Sequence, residues 1–406
     1  ILVIASEAWR SMASGVMDCF TSFAMTDKDV AMTDTDVAMT DTGVTMSDKD
    51  AAMTSTLSSQ GSQKVKLGSV ELTLRDVTPG DREAVTALHT LVFGPNVDGA
   101  WFAWKYGDAI EQGQGQALGV WHGGELIAYC GGLPRTLWRQ GKAVRGLQIG
   151  DVMVHPQWRG ILSRRGPFFQ VSRHFYDSRL GVEQTSAFQL GFGFPNERHL
   201  RLAVMLGLLR DGGEMECLHW RSRPTDMKTL PWNWCWHALE PSDKRFESAV
   251  SGAWAAMRAS AHDLSLGQRD AAYLRWRFAQ RPPDVGTSAE AAARYRFFAL
   301  RRRWSNNCVG IAVLDLRSNS AHWLDWVGPL KLMPLVSLAC RLEAARAGAA
   351  ELTAWASQAV AGQLADTGIT QREVCAKIGI PCASDLKSEA VSGLRWWFMG
   401  GDTDFL

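Results

Sequence analysis

Four short segments of this chain recur in the same order and at nearly the same spacing, and this constrains its fold more than any other feature. WFAWKY around Trp104 matches YLRWRF around Trp276, and IAYCGG matches VGIAVL. GDVMVHP at Asp151 matches LDWVGP at Asp325, and LGL at Gly207 matches IGI at Gly379. The intervals Trp104 to Asp151 and Trp276 to Asp325 agree to within two residues, as do Asp151 to Gly207 and Asp325 to Gly379. Self-similarity in register predicts two copies of one structural unit. At 406 residues the chain is long enough for two.

Within the first copy, Val70, Leu72 and Leu74 alternate with polar residues as a strand does. Thr78-Pro79-Gly80-Asp81 then supplies a helix start, and Val85, Leu88 and Val92 mark the apolar face that follows. ALGVWHGGELIAYCGGLP reads as a hairpin turning at Gly123-Gly124, and KAVRGLQIGDVMVHP as a further strand. Phe168 to Leu180 has helical period, Ser186 to Phe194 is a buried strand, and Glu197 to Leu208 is a helix closed by Gly207. Ahead of these elements a heptapeptide recurs, with Met25, Met32, Met39, Met46 and Met53 in register. Val30, Ala31 and Met32 are adjacent rather than spaced for a coiled-coil seam, and Thr, Asp and Ser fill the remainder. Residues 1–66 are therefore expected to be a disordered low-complexity tail, with folded units at 67–222 and 223–406.

The formal charge of +1, from 43 basic against 42 acidic residues, argues against a nucleic-acid coat or a membrane-seeking surface. No apolar run approaches the roughly 20 residues that span a bilayer. The opening ILVIASEAW has no basic flank and carries Glu7, which makes a poor signal peptide. A cytoplasmic protein is expected. The eight cysteines are scattered, never as C-x-x-C, and no Cys/His set has the usual spacing of a zinc site, so buried free thiols and no metal are expected.

Function is most legible at 149–166, IGDVMVHPQWRGILSRRG, where an apolar strand runs into a loop with three arginines before a helix. A strand-to-helix turn leaves backbone N–H groups without partners, and small residues let an anion approach them. Arg159, Arg164 and Arg165 add charge suited to phosphate oxygens. The stretch reads as a pyrophosphate cradle.

Val154-His155-Pro156 followed by Gln157-Trp158-Arg159-Gly160-Ile161-Leu162 resembles the signature of the GNAT acyltransferase superfamily, whose members bind acyl-CoA. Leu162 departs from it, since the family places a small residue there, and Ser163-Arg164-Arg165-Gly166-Pro167 lengthens the loop. The resemblance covers about 70–215 well and 240–406 as a weaker, degenerate copy. It implies an α+β (α/β) architecture of tandem GNAT-like folds, each a mixed twisted sheet flanked by helices. It further implies that backbone groups of Met153 and Val154 pair with the pantetheine arm. Gln157, Arg159, Gly160, Ile161, Leu162, Ser163, Arg164 and Arg165 would hold the phosphates. Asn196 would touch the cofactor or cap the next helix.

The family's usual tyrosine acid falls at Ala203, with Val204 and Met205 beside it, so that acid is missing. Asp151 is the candidate general base, directly or through water, or else makes a structural bond at a strand bulge, as the matching Asp325 suggests. His155 and the terminal carboxylate of Leu406 are lesser candidates. After Pro329 the second copy reads LKLMPLVSLAC and lacks the cationic loop, so it is expected not to bind CoA but to wall the acceptor site or complete a core. The tryptophans at Trp232–Trp236 and Trp396–Trp397 line an apolar pocket or pack a core, the latter by default.

The function so implied is acetyl-CoA-dependent acyl transfer to a small-molecule or peptide amine, without metal, nucleic acid or membrane; the oligomeric state is not legible. Two rivals stand beside it: a non-catalytic acyl-CoA sensor or scaffold, and a tandem-GNAT aminoacyl transferase using charged tRNA.

Overall fold

The first described strand lies partly inside the segment read as tail. In the computed structural model Gln63–Leu67 forms β1, which pairs antiparallel with β2 (Val70–Asp76) across Gly68, whose φ of 61° a side chain would resist. The structure describes residues 62–403 except 95–97, 112–115, 162, 182–186, 223–228, 284–294, 306, 318–319 and 385–392. The heptapeptide tail, Leu162 and Leu406 thus lie outside the described residues.

The helix start at Thr78 forms as a capping box: Asp81 accepts from the Thr78 backbone N–H at 2.8 Å and pairs with Arg75 through both oxygens at 2.7 Å. The helices α1 (Arg82–Phe93) and α2 (Gly99–Glu111) follow. Next come the antiparallel strands β3 (Ala117–His122), β4 (Glu125–Arg139) and β5 (Lys142–Val154). Helix α3 (Pro167–Arg179) leads to β6 (Leu190–Gly193), parallel to β5, then to α4 (Glu197–Met205) and the long β7 (Leu209–Arg221).

The second half follows the same plan. After β8 (Trp234–Ala238) come α5 (Phe246–Ser260), β9 (Ser265–Gly267) and α6 (Ala271–Leu274), which continues as a π-turn through Ala279. Strands β10 (Tyr295–Arg302), β11 (Cys308–Leu316) and β12 (Ala321–Val327) form an antiparallel meander. Helix α7 (Met333–Arg346) leads to β13 (Glu351–Ser357), parallel to β12, then to α8 (Gln358–Gln363), β14 (Gln371–Pro381) and β15 (Trp396–Trp397).

The last long strands change sides. β7 leaves the first half to pair with β13, and β14 returns from the second half to pair with β6, while β7 and β14 pair with each other. One continuous sheet results, in the order β1-β2-β3-β4-β5-β6-β14-β7-β13-β12-β11-β10-β8.

Three of the four matched segments fall at equivalent places. Trp104 and Trp276 stack with ring centroids 5.2 Å apart, and each indole N–H donates to the other residue's carbonyl, at 2.8 and 3.0 Å. The register shifts by one residue at both Asp151 and Asp325. The fourth match does not hold. Gly207, at φ 72°, joins α4 to β7, and the residue in that place before β14 is Gly368, at φ 78°. Gly379 lies inside β14, opposite Asp211 and Gly193. The second half has the shorter connection between its bulged strand and following helix, so equal spacing misaligned the glycines.

The tryptophan pair near the terminus packs rather than lining a pocket. Trp396 stacks on Phe398, which stacks on Phe192 of the first half, both at 4.8 Å, and Trp397 is fully buried in the second core. Trp236 likewise stacks on Phe298.

A buried ionic chain ties the halves together. Arg269 holds both Asp325, at 2.8 and 3.1 Å, and Asp402. Asp402 also meets Arg135 at 3.3 Å, and its carbonyl accepts from Gln148 at 2.8 Å. Removing one partner of such a chain strands like charges away from water. Arg269→Met is therefore expected to cost about 3–5 kcal/mol in denaturant unfolding. Adding Asp325→Asn and Asp402→Asn to it should recover much of that loss.

Candidate active site

The bulge on β5 builds the site. Tyr129 pairs with Met153 and Gly131 with Gly150, so Asp151 and Val152 together face Cys130. Asp151 takes φ 52°, a left-handed conformation uncommon for a residue with a side chain. Its carboxylate meets the Lys105 ammonium at 2.7 Å and accepts from the Tyr106 hydroxyl. Lys105 and Tyr106 are neighbours on α2. Four residues before each stand Trp101 and Phe102, on the same faces of the helix. The Lys105 ammonium, nearly fully buried, also lies 4.7 Å from the centre of the Trp101 ring.

His89 reaches the same pocket from α1, whose buried face is Val85, Leu88, His89 and Val92. Tyr129 enters from β4. The hydroxyls of Tyr106 and Tyr129 both lie 2.8 Å from where a Cβ on Gly131 would stand, so only glycine fits beneath them. These groups, with Met153, line a pocket of about 220 Å³. Lys105 separates it from a second, of about 300 Å³, lined by Trp104, Arg135, Gln148, Trp276, Arg277 and Asp402.

Burial works against an ionised Asp151, but the Lys105 charge and the hydrogen bonds from Lys105 and Tyr106 outweigh it and hold the carboxyl below its usual range. Burial, helped by Lys105 and opposed by Asp151, pushes His89 down to about 4. The imidazole is neutral at physiological pH, and its Nδ1 has no hydrogen-bond partner among the described residues. Burial and the Asp151 charge raise the Tyr129 phenol well above its ordinary value, so it stays protonated. The pocket therefore offers a fixed anion, a neutral nitrogen base and a phenolic donor within apolar walls.

Beside the bulge the sheet opens. β5 and β6 pair from Gly146–Leu190 to Ile149–Gly193, and among the described residues no strand pairs with that edge of β5 through Met153 and Val154. The Val154 carbonyl accepts from Arg159 Nε at 3.0 Å, so Arg159 lies against the strand edge, half-buried, instead of reaching outward. Gln157 and Ile161 flank it; Ser163, Arg164 and Arg165 are exposed. A Cβ on Gly160 would meet nothing within 4 Å, whereas one on Gly166 would stand 2.0 Å from the Ile161 carbonyl oxygen. Gly166 thus closes the loop on itself, and Gly160 faces open space. Pro167 begins α3 as its position predicts. Asn196 caps α4, accepting from the His199 N–H at 2.8 Å, and Ala203 is buried in the helix where a tyrosine acid was sought. His155 accepts from the Gln157 N–H at 3.3 Å and sits outside the Asp151 pocket.

Residues 73–178, which contain α1, α2, the meander and most of α3, match the model of an acetyltransferase (GNAT) domain. This stretch of the chain is thus similar to a GNAT domain. A GCN5-related N-acetyltransferase from Kribbella flavida superposes with a TM-score of 0.55 at 17% identity, over 76% of this chain and 70% of that one. One from Anabaena variabilis ATCC 29413 gives 0.55 at 11%, over 76% and 72%. A conserved protein of unknown function from Enterococcus faecalis V583, described as a probable N-acyltransferase, gives 0.57 at 9%, over 78% and 73%. At these identities the likeness is one of fold. No curated protein matches the sequence.

The GNAT domain's bulge has a chemically different counterpart in the second half. In the matched segments Arg277 stands at the place of Lys105 and Phe278 at that of Tyr106. Asp325 pairs with Arg269, and Phe278 has no hydroxyl to give it. The chain's own turn at Gly400–Thr403 fills the space. A Cβ on Gly401 would stand 2.7 Å from Phe278 and 3.4 Å from Asp325, while Arg277 donates to the carbonyls of Gly401 and Thr403 at 2.9 and 2.8 Å.

Sequence reasoning found Asp151 but missed Lys105, Tyr106, His89 and Tyr129. The WFAWKY match held the signal for two of these, since a lysine and a tyrosine align with Arg277 and Phe278. Because His89 binds its proton more weakly in the folded chain, the unfolded state is the more protonated below about 6.5. Stability from this residue is complete above that pH and lost as pH falls toward about 4. Wild type should lose on the order of 2–3 kcal/mol more across that interval than His89→Gln, measured by denaturant unfolding at each pH.

Proposed function

We propose that this chain is an acyl-CoA-dependent N-acyltransferase that moves an acetyl group to an amine, with both substrates held by residues 67–222. The observation that carries this reading is the juxtaposition at β5. Its edge at Met153 and Val154, unpaired with β6, runs on to the Gly160 loop and adjoins the Asp151 pocket, which Met153 also lines. The second half, 223–406, is a degenerate copy of the same unit. The topology, the stacked Trp104–Trp276 pair and the two bulged aspartates support that descent, and the turn at Gly400–Thr403 leaves its bulge no room for an acceptor.

Arg164 and Arg165 meet the pyrophosphate, with Gly160 giving it access to the backbone. The pantetheine arm lies along Met153 and Val154, and Arg159 releases the Val154 carbonyl to it. Asp151 draws the acceptor's ammonium into the pocket. Asp151 or the neutral His89 beside it, directly or through water, takes the proton. The new C–N bond forms as the thioester C–S bond breaks, and the protonated Tyr129 hydroxyl faces the negative charge that develops.

Mass spectrometry of acetyl transfer to a panel of amines tests the reading. Asp151→Asn is expected to slow turnover about 100-fold or more while leaving CoA affinity nearly unchanged. Replacing Arg164 and Arg165 together by alanine should weaken acetyl-CoA binding about 10- to 100-fold by calorimetry, with little effect on Tm. Tight acetyl-CoA binding without turnover on any amine would favour the sensor reading that the alanine at position 203 invites.

A further inference from the structure

Far from the Asp151 pocket, three chemically apt side chains converge at the seam of the sheet. Cys217 and His219 alternate along β7, so both leave the same face, and Glu373 of β14 stands directly opposite Cys217 in the strand register. Cys217 Sγ lies 3.4 Å from His219 Nε2, and that same nitrogen lies 3.6 Å from Glu373 Oε1. All three atoms fall within 4.8 Å of one another. We propose that Cys217, His219 and Glu373 form a binding site for a divalent transition cation of the zinc class.

The geometry supports an ion. Zinc bonds of about 2.3 Å to sulfur and 2.0–2.1 Å to nitrogen or oxygen, at tetrahedral angles, place S and N about 3.6 Å apart and N and O about 3.4 Å apart. The two observed separations depart from these by only a few tenths of an ångström. A single imidazole nitrogen offers at most one hydrogen at a time, so it cannot serve both neighbours through hydrogen bonds, whereas an ion between them satisfies all three atoms.

The other ring nitrogen is already engaged. Nδ1 of His219 lies 3.1 Å from Glu351 Oε1 on β13, which is the carboxylate–histidine support that fixes the tautomer of a metal ligand. His219 is 1% exposed and locked in place, while Glu373 is about half exposed and gives the ion a path from solvent. One thiolate, one imidazole and one carboxylate suit zinc or cobalt rather than calcium or magnesium, and three protein ligands leave a fourth position for water. The ligands come from β7 and β14, the strands that exchange between the halves, and their support from β13 beside β7, so the ion would pin the crossing and take no part in acyl transfer.

Titrating the full chain, first stripped by a chelator, with Zn²⁺ and then Co²⁺ tests this. One equivalent is expected to bind with a Kd below about 1 µM, to raise Tm, and with cobalt to give a thiolate charge-transfer absorption. Cys217→Ser should abolish that absorption and Cys235→Ser should leave it intact. Glu373→Gln, a change at a half-exposed side chain that should not threaten folding, should weaken binding about 10-fold or more. A folded wild type that binds no stoichiometric metal, leaving only a cysteine–histidine contact, would overturn the proposal, as would a cobalt absorption that survives Cys217→Ser or an unchanged affinity in Glu373→Gln.

Discussion

The pairing of β7 with β14 in the middle of the sheet is the constraint on which the remaining architecture rests. Each strand leaves the half whose helix precedes it and lies beside the other half's short parallel strand, β13 or β6. Neither half then has a complete sheet of its own: without β14 the edge of β6 is bare, and without β7 that of β13. The same exchange brings the C-terminal segment back between the halves, where Asp402 joins Arg135 and Gln148 of the first to Arg269 of the second. The sequence boundary at 222 is thus a boundary in the chain and not in the fold.

On this frame the two bulges differ in a few side chains. At Asp151 a lysine and a tyrosine supply partners, and the anion faces a pocket. At Asp325 the pairing arginine comes from another loop, phenylalanine replaces tyrosine, and the terminal turn occupies the cavity. Both carboxylates are buried, yet they respond oppositely. Burial dominates at Asp325, aided by the like charge of Asp402, and raises its pKa, while Lys105 and Tyr106 win at Asp151 and lower it. A buried charge that is paired on all sides stabilises a seam; one held from behind, with a pocket in front, is available for a ligand.

What the sequence disclosed followed from periodicity and self-similarity. Alternation marked β2, the Gly123-Gly124 pair marked the β3–β4 turn, and the capping residues at Thr78 and Asp81 marked the approach to α1. The equivalence of Trp104 with Trp276 and of Asp151 with Asp325 came from matched segments at nearly equal spacing. Lys105 was hidden because a lysine on an amphipathic helix ordinarily points to water, and its carboxylate partner lies on another element. Tyr106 is 45 residues from Asp151 in the chain, and nothing local records the contact. The strand exchange was illegible for a related reason: hydrophobic period reports that a strand is buried, not which neighbour buries it. Equal spacing then misdirected the fourth match to Gly379, since it could not register that the second half has the shorter connection between β12 and α7.

The asymmetry between the halves also explains the position of Arg159. A strand edge left open beside a parallel partner exposes carbonyls that must be satisfied, and Val154 takes its donor from the loop that follows it. One guanidinium nitrogen of Arg159 remains buried without a partner among the described residues. The arrangement therefore meets the strand's need only in part, which is the condition under which a ligand amide can replace the side chain at little cost. In the second half β12 and β13 pair from Ala321–Leu352 to Trp323–Ala354. There Trp323, whose indole N–H bonds the Asp325 carbonyl, and the ion pair with Arg269 meet the polar groups at the bulge from within. Where the chain meets its own hydrogen-bonding need the site is closed, and where it meets that need incompletely the site is built to be completed from outside.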